Sequence, residues 1–145
     1  MTSLLPTRTS DGLSVGEELP ELAIPITRTL IVATAIASRD YQDVHHDPDL
    51  AVERGSKDIF MNILTSNAMV ERYAKEWAGP AAILRKVKVR LGAPNHPGDT
   101  MTMRGSVVSV DGTRVELAVT GTNSLGPHVS GSVVLELPVS AGGAA

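Results

Sequence analysis

Apolar and polar residues follow a helical period in the first half of the chain and a strand period in the second half. From Leu30 to Ala35 the apolar positions recur at helical spacing, with no Gly or Pro between them. This pattern predicts a helix over residues 28–38. A short apolar run before it predicts a strand over residues 22–26. The first half therefore begins with a strand that leads directly into a helix.

A short helix and a long helix are predicted next. Asp47 followed by Pro48 is a typical helix start, and it predicts a helix over residues 50–54. The long helix is predicted over residues 61–77, and Gly79 ends it. It has no charged residue in its first ten positions, whereas its second half carries Glu71, Arg72, Lys75 and Glu76. We expect the first half to be enclosed on nearly all sides and the second half to reach solvent.

Strand-type alternation fills the rest of the chain. Apolar and basic residues alternate in steps of two from Ile83 to Leu91. The remaining strands are predicted over residues 100–110, 114–123 and 128–137, and Asp111-Gly112 is a typical hairpin turn. Short links of this kind predict an antiparallel meander. A single long helix enclosed along half its length predicts that the sheet curls around it.

Length and composition fit one domain. The chain has 145 residues, of which 42% are hydrophobic and only 3% aromatic, so the core consists of aliphatic residues and Met. We predict a flexible N-terminal segment over residues 1–18, a domain over 19–139 and a flexible tail over 140–145. The absence of cysteine excludes disulfides, thiolate catalysis and Cys-based metal sites.

Charge and the N-terminal sequence bear on partners and location. A net charge of -3 argues against nucleic acid as a partner. The first ten residues are polar and include a proline, which is unlike a signal peptide. The longest apolar stretch, residues 30–37, is too short to cross a bilayer. We therefore expect a cytoplasmic protein that associates with neither a membrane nor nucleic acid.

Acidic residues and histidines are concentrated in residues 40–47. Asp40 and His45 stand five positions apart, and a helix end followed by a tight loop can point both side chains into one cleft. An alternative is that Asp40 is a cap and His45 a surface residue. A metal cluster is disfavoured because the acids and histidines lack a regular ligand spacing, so we predict no metal. Asp43 and His46 are predicted to support the loop.

Two motifs resemble those of the MaoC-like family. The first is Asp40-Tyr41-Gln42-Asp43-Val44-His45-His46-Asp47-Pro48, which is similar to the family pattern Asp-x-Asn-Pro-x-His-x-Asp. The second is residues 93–99, which resemble the family pattern Pro-x-x-Pro-Gly-Asp. The resemblance implies an α+β hot-dog fold, in which a curled antiparallel sheet of about five strands wraps one long helix. It also implies an (R)-specific enoyl-CoA hydratase with Asp40 and His45 as the catalytic pair and a (3R)-3-hydroxyacyl-CoA product.

The start of the long helix departs from the family pattern. Where the family has Ala-His-Gly-Met, this chain has Phe60-Met61-Asn62-Ile63. The resemblance implies that the backbone amides of Asn62 and Ile63 bind the thioester oxygen. Because Asn cannot approach a ligand as closely as Gly, we expect a reshaped pocket.

Other residues are candidates for substrate binding. We predict that Tyr41, Phe60 and Met61 contact the acyl group of the substrate. The alternative is that they only pack against other residues of the protein. We predict that Lys88 and Arg90 bind the phosphates of coenzyme A. The alternative is that they lie on a strand face that is exposed to solvent and binds no ligand. His96 and His128 are predicted to be surface residues in turns. No cofactor is expected, since the coenzyme A thioester is the substrate.

Within the family, residues 38–47 and 56–60 are most similar to the small subunit of actinobacterial steroid side-chain enoyl-CoA hydratases. This likeness implies a steroid side-chain thioester as substrate, and a homodimer or a heteromer with a second MaoC-like chain. Two other functions stay open. A hot-dog thioesterase generally carries a carboxylate on its long helix, and residues 61–70 have none. A non-catalytic partner subunit would not need both Asp40 and His45.

Overall fold

The fold combines one five-stranded sheet with three helices, as the hydrophobic pattern predicts. The computed structural model describes residues 6–141. The strands and helices occupy, in chain order, β1 (Glu18–Pro25), α1 (Arg28–Ala37), α2 (Pro48–Glu53), α3 (Ile63–Ala78), β2 (Ile83–Leu91), β3 (Thr100–Asp111), β4 (Arg114–Asn123) and β5 (Gly126–Glu136). Two single turns of 3-10 helix lie at Ser10–Gly12 and Asp43–His45. This arrangement confirms the α+β hot-dog prediction.

The sheet is antiparallel throughout, with the strand order β1-β3-β4-β5-β2. The last three strands form the predicted meander, but the prediction is wrong for β2, which pairs with β5 rather than with β3. The chain after β2 does not form a hairpin, because the amides of Gly92 and Ala93 donate to the carbonyls of His128 and Pro127. All four strand pairings contain a register shift. Such irregularities bend strands and increase their twist, so the sheet curls around α3.

Helix α3 packs one stripe of side chains into the curl. Its buried residues recur every three or four positions, and they are Thr65, Ser66, Met69, Val70, Tyr73, Ala74, Trp77 and Ala78. The prediction that the first half is enclosed on nearly all sides is wrong for this single chain. Ile63 and Leu64 lie off the stripe and are 52% and 50% exposed. The sheet therefore covers one side of α3 and leaves apolar residues of its first turn uncovered.

The described part of the predicted N-terminal segment packs against the domain. The Arg8 amide donates to the Ala78 carbonyl over 2.8 Å, and its guanidinium lies 4.7 Å from the centre of the Trp77 ring. Arg8 also pairs with Glu17 at 2.6 Å. The proposed division at residues 18 and 139 stays a prediction, and residues 1–5 and 142–145 lie outside the described residues.

None of the helices within residues 6–141 is long and apolar enough to cross a membrane.

Candidate active site

The backbone position of Asp40 is set by the end of helix α1. Arg39 adopts a left-handed conformation with φ 56°, the conformation that usually favours glycine after a helix. The Arg39 amide donates to the Ile36 carbonyl over 3.0 Å, and the Asp40 amide donates to the Ala35 carbonyl over 2.9 Å. These two bonds are those of a Schellman motif, which reverses the chain direction at a helix end. The backbone of Asp40 is thus fixed to α1.

The segment before α3 holds His45. Its ring is buried, with 5% of the residue exposed, and Nδ1 donates to the Phe60 carbonyl over 2.7 Å. The Phe60 ring packs edge-on against the imidazole with the ring centres 5.0 Å apart. Because a carbonyl oxygen only accepts hydrogen bonds, Nδ1 carries the proton of the neutral ring. The other nitrogen, Nε2, is therefore left as an acceptor.

Asp40 and His45 face each other across a short gap. The distance from Asp40 Oδ2 to His45 Nε2 is 3.4 Å. In the ionised carboxylate and the neutral imidazole both atoms are acceptors, so the pair favours a molecule that donates a proton to each. A water molecule has two O–H groups, so it can donate one to each of these basic atoms. The structure thus brings together the two residues that the sequence motif indicates, and their catalytic roles stay a prediction.

Sequence analysis missed the side chain of Asn62, which also contacts Asp40. Its Nδ2 donates to Asp40 Oδ2 over 3.1 Å and to Ser38 Oγ over 2.9 Å. Its Oδ1 accepts from the Thr65 amide over 2.9 Å, so Asn62 is the N-cap of α3 rather than a residue within that helix. The strong preference of Asn for N-cap positions was the sequence signal for this role.

The backbone amides of Asn62 and Ile63 lie at the start of α3. Within residues 6–141 neither of them donates to a protein acceptor. Unpaired amides and the helix dipole make such a terminus a favourable site for negative charge. The assignment of these two amides to the thioester oxygen stays a prediction.

The predicted substrate-binding residues lie in different parts of the structure. Phe60 packs on His45, while Tyr41, which follows Asp40, is 67% exposed. Met61 is buried in the core, where its sulfur accepts from Asn95 Nδ2 over 3.7 Å. Lys88 and Arg90 lie exposed on the edge strand β2 and border a shallow groove with Ser130 and Ser132. Their roles in binding stay predictions.

Polar contacts support the loop between Asp40 and α2. Arg54 donates to the Asp43 carboxylate over 2.7 Å, and this hydrogen bond lowers the pKa of Asp43 below its ordinary value. Asp47 caps α2 by accepting from the Asp49 and Leu50 amides. These contacts fit the predicted supporting role of Asp43. Among the residues the structure describes, no three His, Asp or Glu side chains converge as metal ligands, and the prediction of no metal is left as a prediction.

The prediction that His96 and His128 are surface residues is wrong. His96 is 8% exposed and His128 is 3% exposed, and the ring of each is hydrogen-bonded to a backbone carbonyl. Nδ1 of His96 donates to the Ile59 carbonyl over 3.0 Å. Nδ1 of His128 donates to the Ala93 carbonyl over 2.7 Å, and its Nε2 lies 2.8 Å from Ser66 Oγ on α3. His128 therefore connects the start of β5 to the central helix.

Burial of His128 predicts a pH dependence of stability. Burial lowers the pKa of His128 below the ordinary value of 6.5, although the hydrogen bond to Ala93 partly opposes this effect. The folded chain thus binds the His128 proton more weakly than the unfolded chain. As the pH falls below about 6.5, the unfolded state takes up more protons and the free energy of unfolding decreases. This contribution to stability is complete at higher pH and is lost on acidification.

The His128→Asn variant isolates this contribution, since asparagine keeps a donor for the Ala93 carbonyl and has no proton to gain. We expect its free energy of unfolding, measured by urea titration, to fall less than that of the wild type between about pH 7.5 and pH 5. Equal slopes for the two proteins would show that His128 is not the group responsible.

Comparisons with known proteins identify sequence relatives. The family model described as "MaoC like domain" matches residues 13–126. A protein of Mycobacterium tuberculosis named "3-oxo-4,17-pregnadiene-20-carboxyl-CoA hydratase beta subunit" is 49% identical over 123 residues, which are 85% of this chain and 95% of the relative.

Solved structures agree with this relationship. The crystal structure of the ChsH1-ChsH2 complex from M. tuberculosis contains a chain that is 48% identical. The match has a TM-score of 0.84 and covers 86% of this chain and 98% of that one. The R-hydratase PhaJ1 from Pseudomonas aeruginosa is 24% identical, with a TM-score of 0.82 and coverage of 90% and 86%, and it supports the fold alone.

Proposed function

The chain belongs to the MaoC-like family, and from this premise we propose that it adds water to a trans-2-enoyl-CoA to give the (3R)-3-hydroxyacyl-CoA. The observation that carries the proposal is the pair of facing acceptor atoms, Asp40 Oδ2 and His45 Nε2, at 3.4 Å. Such a pair suits a reaction in which water must lose a proton as it attacks carbon.

In the proposed reaction, one water molecule donates an O–H to each of the two residues. The water oxygen attacks the β carbon as one of its protons passes to the Asp40–His45 pair. The electrons of the carbon–carbon double bond move to the thioester and form an enolate. A proton from the same pair then reaches the α carbon on the same face, so water is added with no other reactant. The hydrogen bond from Nδ1 to Phe60 supports this step by keeping Nε2 free to take the proton.

The enolate oxygen requires hydrogen-bond donors. The backbone amides of Asn62 and Ile63 at the start of α3 are proposed for this role. The Asn62 side chain contacts Asp40, so this end of α3 lies beside the proposed catalytic pair. Preorganised backbone donors at a helix N-terminus favour charge that develops in the transition state. No metal or cofactor takes part in the proposed step.

The proposed substrate is a bulky acyl-CoA such as a steroid side-chain thioester. The support is the 49% identity to a hydratase subunit whose name states a pregnadiene carboxyl-CoA. Tyr41 and Phe60 are proposed to contact the acyl group, and Lys88 and Arg90 the phosphates of coenzyme A. The exposed positions of Tyr41, Lys88 and Arg90 leave these side chains accessible to a ligand in the single chain.

A second chain is proposed to complete the site. Apolar side chains on α1 and in the first turn of α3 are exposed in the single chain, among them Ile36, Ile63 and Leu64. Exposed apolar patches of this kind mark interfaces. A related chain is part of a complex of two different proteins, which favours a heteromer over a homodimer.

The proposed activity is tested by co-expressing the chain with a second MaoC-like chain and supplying an enoyl-CoA. We expect the absorbance of the enoyl thioester to decline, and a (3R)-specific dehydrogenase to oxidise the product. Release of free coenzyme A with no hydroxyacyl product would instead indicate a thioesterase.

The proposed partner is tested by measuring mass in solution. We expect the co-expressed chains to elute as one species whose mass is a sum of both, and the chain alone to show a lower rate of hydration. A chain that is a fully active homodimer by itself would exclude the heteromer.

A further inference from the structure

The amide of Asn62 uses its full hydrogen-bonding capacity at the candidate site. Its oxygen accepts from both the backbone amide and the hydroxyl of Thr65, and its nitrogen donates to Ser38 Oγ and Asp40 Oδ2. The residue is 2% exposed. An asparagine amide has two acceptor sites and two donor hydrogens, so these four contacts saturate it.

The contacts also fix which end of the amide faces Asp40. The Thr65 backbone N–H can only donate, so the amide oxygen must point towards Thr65. A flipped amide would place NH₂ against that N–H and the amide oxygen against the Asp40 carboxylate. Both contacts would be repulsive. The group that reaches Asp40 is therefore the donor.

The carboxylate oxygen that Asn62 contacts is the one that faces His45. Asp40 Oδ2 lies 3.1 Å from Asn62 Nδ2 and 3.4 Å from His45 Nε2. Within residues 6–141 the other oxygen, Oδ1, has only a long contact of 3.4 Å, in which it accepts from the Gln42 amide. The side chain of Asn62 thus restrains Oδ2, the atom that takes part in the proposed proton transfer.

We propose that the Asn62 side chain is a positioning residue, which holds Asp40 Oδ2 in line with His45 by joining the end of α1 to the start of α3. This inference rests on the proposed hydratase function, and it adds a role for the side chain to the role proposed for the backbone amide. In the family pattern this position is a glycine, which offers no side-chain donor. The chain therefore orients its acid with a residue that the pattern lacks.

A merely structural N-cap is the competing explanation, and Asn62→Asp separates the two. Aspartate has the same shape and still accepts from the Thr65 amide, so the cap is kept. It replaces the donor that faces Asp40 with a second carboxylate. We expect kcat to fall by about 10- to 100-fold with KM changed by less than about threefold. We also expect the acidic limb of the kcat/KM profile to move to higher pH, because a nearby negative charge favours protonation of a carboxylate.

Thr65→Val is the matched control, since it removes the hydroxyl contact with Asn62 and leaves the donor to Asp40. It is expected to change the melting temperature but not the acidic limb. Asn62→Ser keeps a cap and is too short to reach Asp40, so it provides a second test should Asn62→Asp not fold. For Asn62→Ser we expect a kcat reduced by about tenfold with KM nearly unchanged. A kcat within twofold of the wild type in either Asn62 variant that folds would overturn the proposal.

A readout independent of turnover distinguishes failure of this proposal from failure of the proposed function. The carboxyl carbon of Asp40 is followed by NMR in the full-length chain, with Asp40→Asn identifying the signal. His45, at 3.4 Å, is the ionisable side chain within ion-pair distance of Asp40 in the described structure, and it is titrated in parallel. The Asp40 signal is expected to titrate at higher pH in Asn62→Asp than in the wild type. Identical titrations would overturn the positioning role, whether or not the chain hydrates enoyl-CoA.

Discussion

Replacement of Asp40 by asparagine is expected to lower kcat for hydration by about 10³-fold or more, because the reaction loses one of the two basic atoms that accept a proton from water. The fold is expected to persist. An amide oxygen in the place of Oδ2 can still accept from Asn62 Nδ2, which lies 3.1 Å away. The measurement is the initial rate of enoyl-thioester loss with the partner chain present.

His45→Ala is expected to have an effect of similar size, since it removes the second acceptor. Two exposed neighbours provide controls with the same chemical changes. The first control is Asp49→Asn, at an exposed residue of α2. The second is His46→Ala, which removes an exposed ring whose Nδ1 lies 3.1 Å from the Gln42 carbonyl oxygen. Both controls are expected to keep kcat within about twofold of the wild type. Undiminished hydration in Asp40→Asn and His45→Ala would exclude the proposed mechanism.

Gly131→Ala is expected to lower the free energy of unfolding by about 3 kcal/mol or more, the upper part of the range for overpacked cores. A Cβ at residue 131 would lie 2.0 Å from the Lys88 carbonyl oxygen and 2.9 Å from Val89 Cα on the paired strand. These are backbone atoms, so the contact cannot be relieved by rotating a side chain. The edge strand β2 must shift away from β5 and lose hydrogen bonds.

The measurement for Gly131→Ala is thermal unfolding, for which we expect the melting temperature to fall by roughly 10 °C. Gly12→Ala is the matched control, because the added Cβ meets only Thr9 Oγ1 at 3.5 Å, an ordinary contact. It is expected to change the free energy of unfolding by less than about 0.5 kcal/mol. Equal melting temperatures for the two variants would mean that β2 and β5 separate at little cost.

Local patterns predict most of the elements of this fold, whereas long-range pairing decides the rest. The helix predicted over residues 28–38 corresponds to α1, and alternation predicts β2 with both of its ends. Alternation does not identify the neighbour of a strand. Strand β2 lies beside β5, and the amides of Gly92 and Ala93 extend this pairing by donating to carbonyls at the start of β5. Exposure of Ile63 was likewise unpredictable from charge alone, since an uncharged helix face can be covered by another chain.

In the candidate site, too, some contacts follow from local sequence and others depend on segments that are distant in the chain. Asp40 and His45 belong to one short motif, so their proximity follows from local sequence. The contact of Asn62 with Asp40 depends on the meeting of α1 and α3, and the burial of His128 depends on its contacts with Ala93 and Ser66. Residues that converge from distant segments leave no spacing in the sequence. Only the N-cap preference of Asn62 gave a local signal.

The left-handed conformation of Arg39 offers a criterion for sorting related sequences. A residue with φ 56° must tolerate that backbone, which glycine and asparagine do readily, whereas proline and β-branched residues do not. A homologue with proline, valine or isoleucine immediately before the acid cannot turn its chain in this way, even if it retains both the Asp and the His. Such a homologue is expected to be inactive although it retains the Asp–His pair. The residue before the acid should therefore be checked when a sequence motif is used to separate active from inactive paralogues.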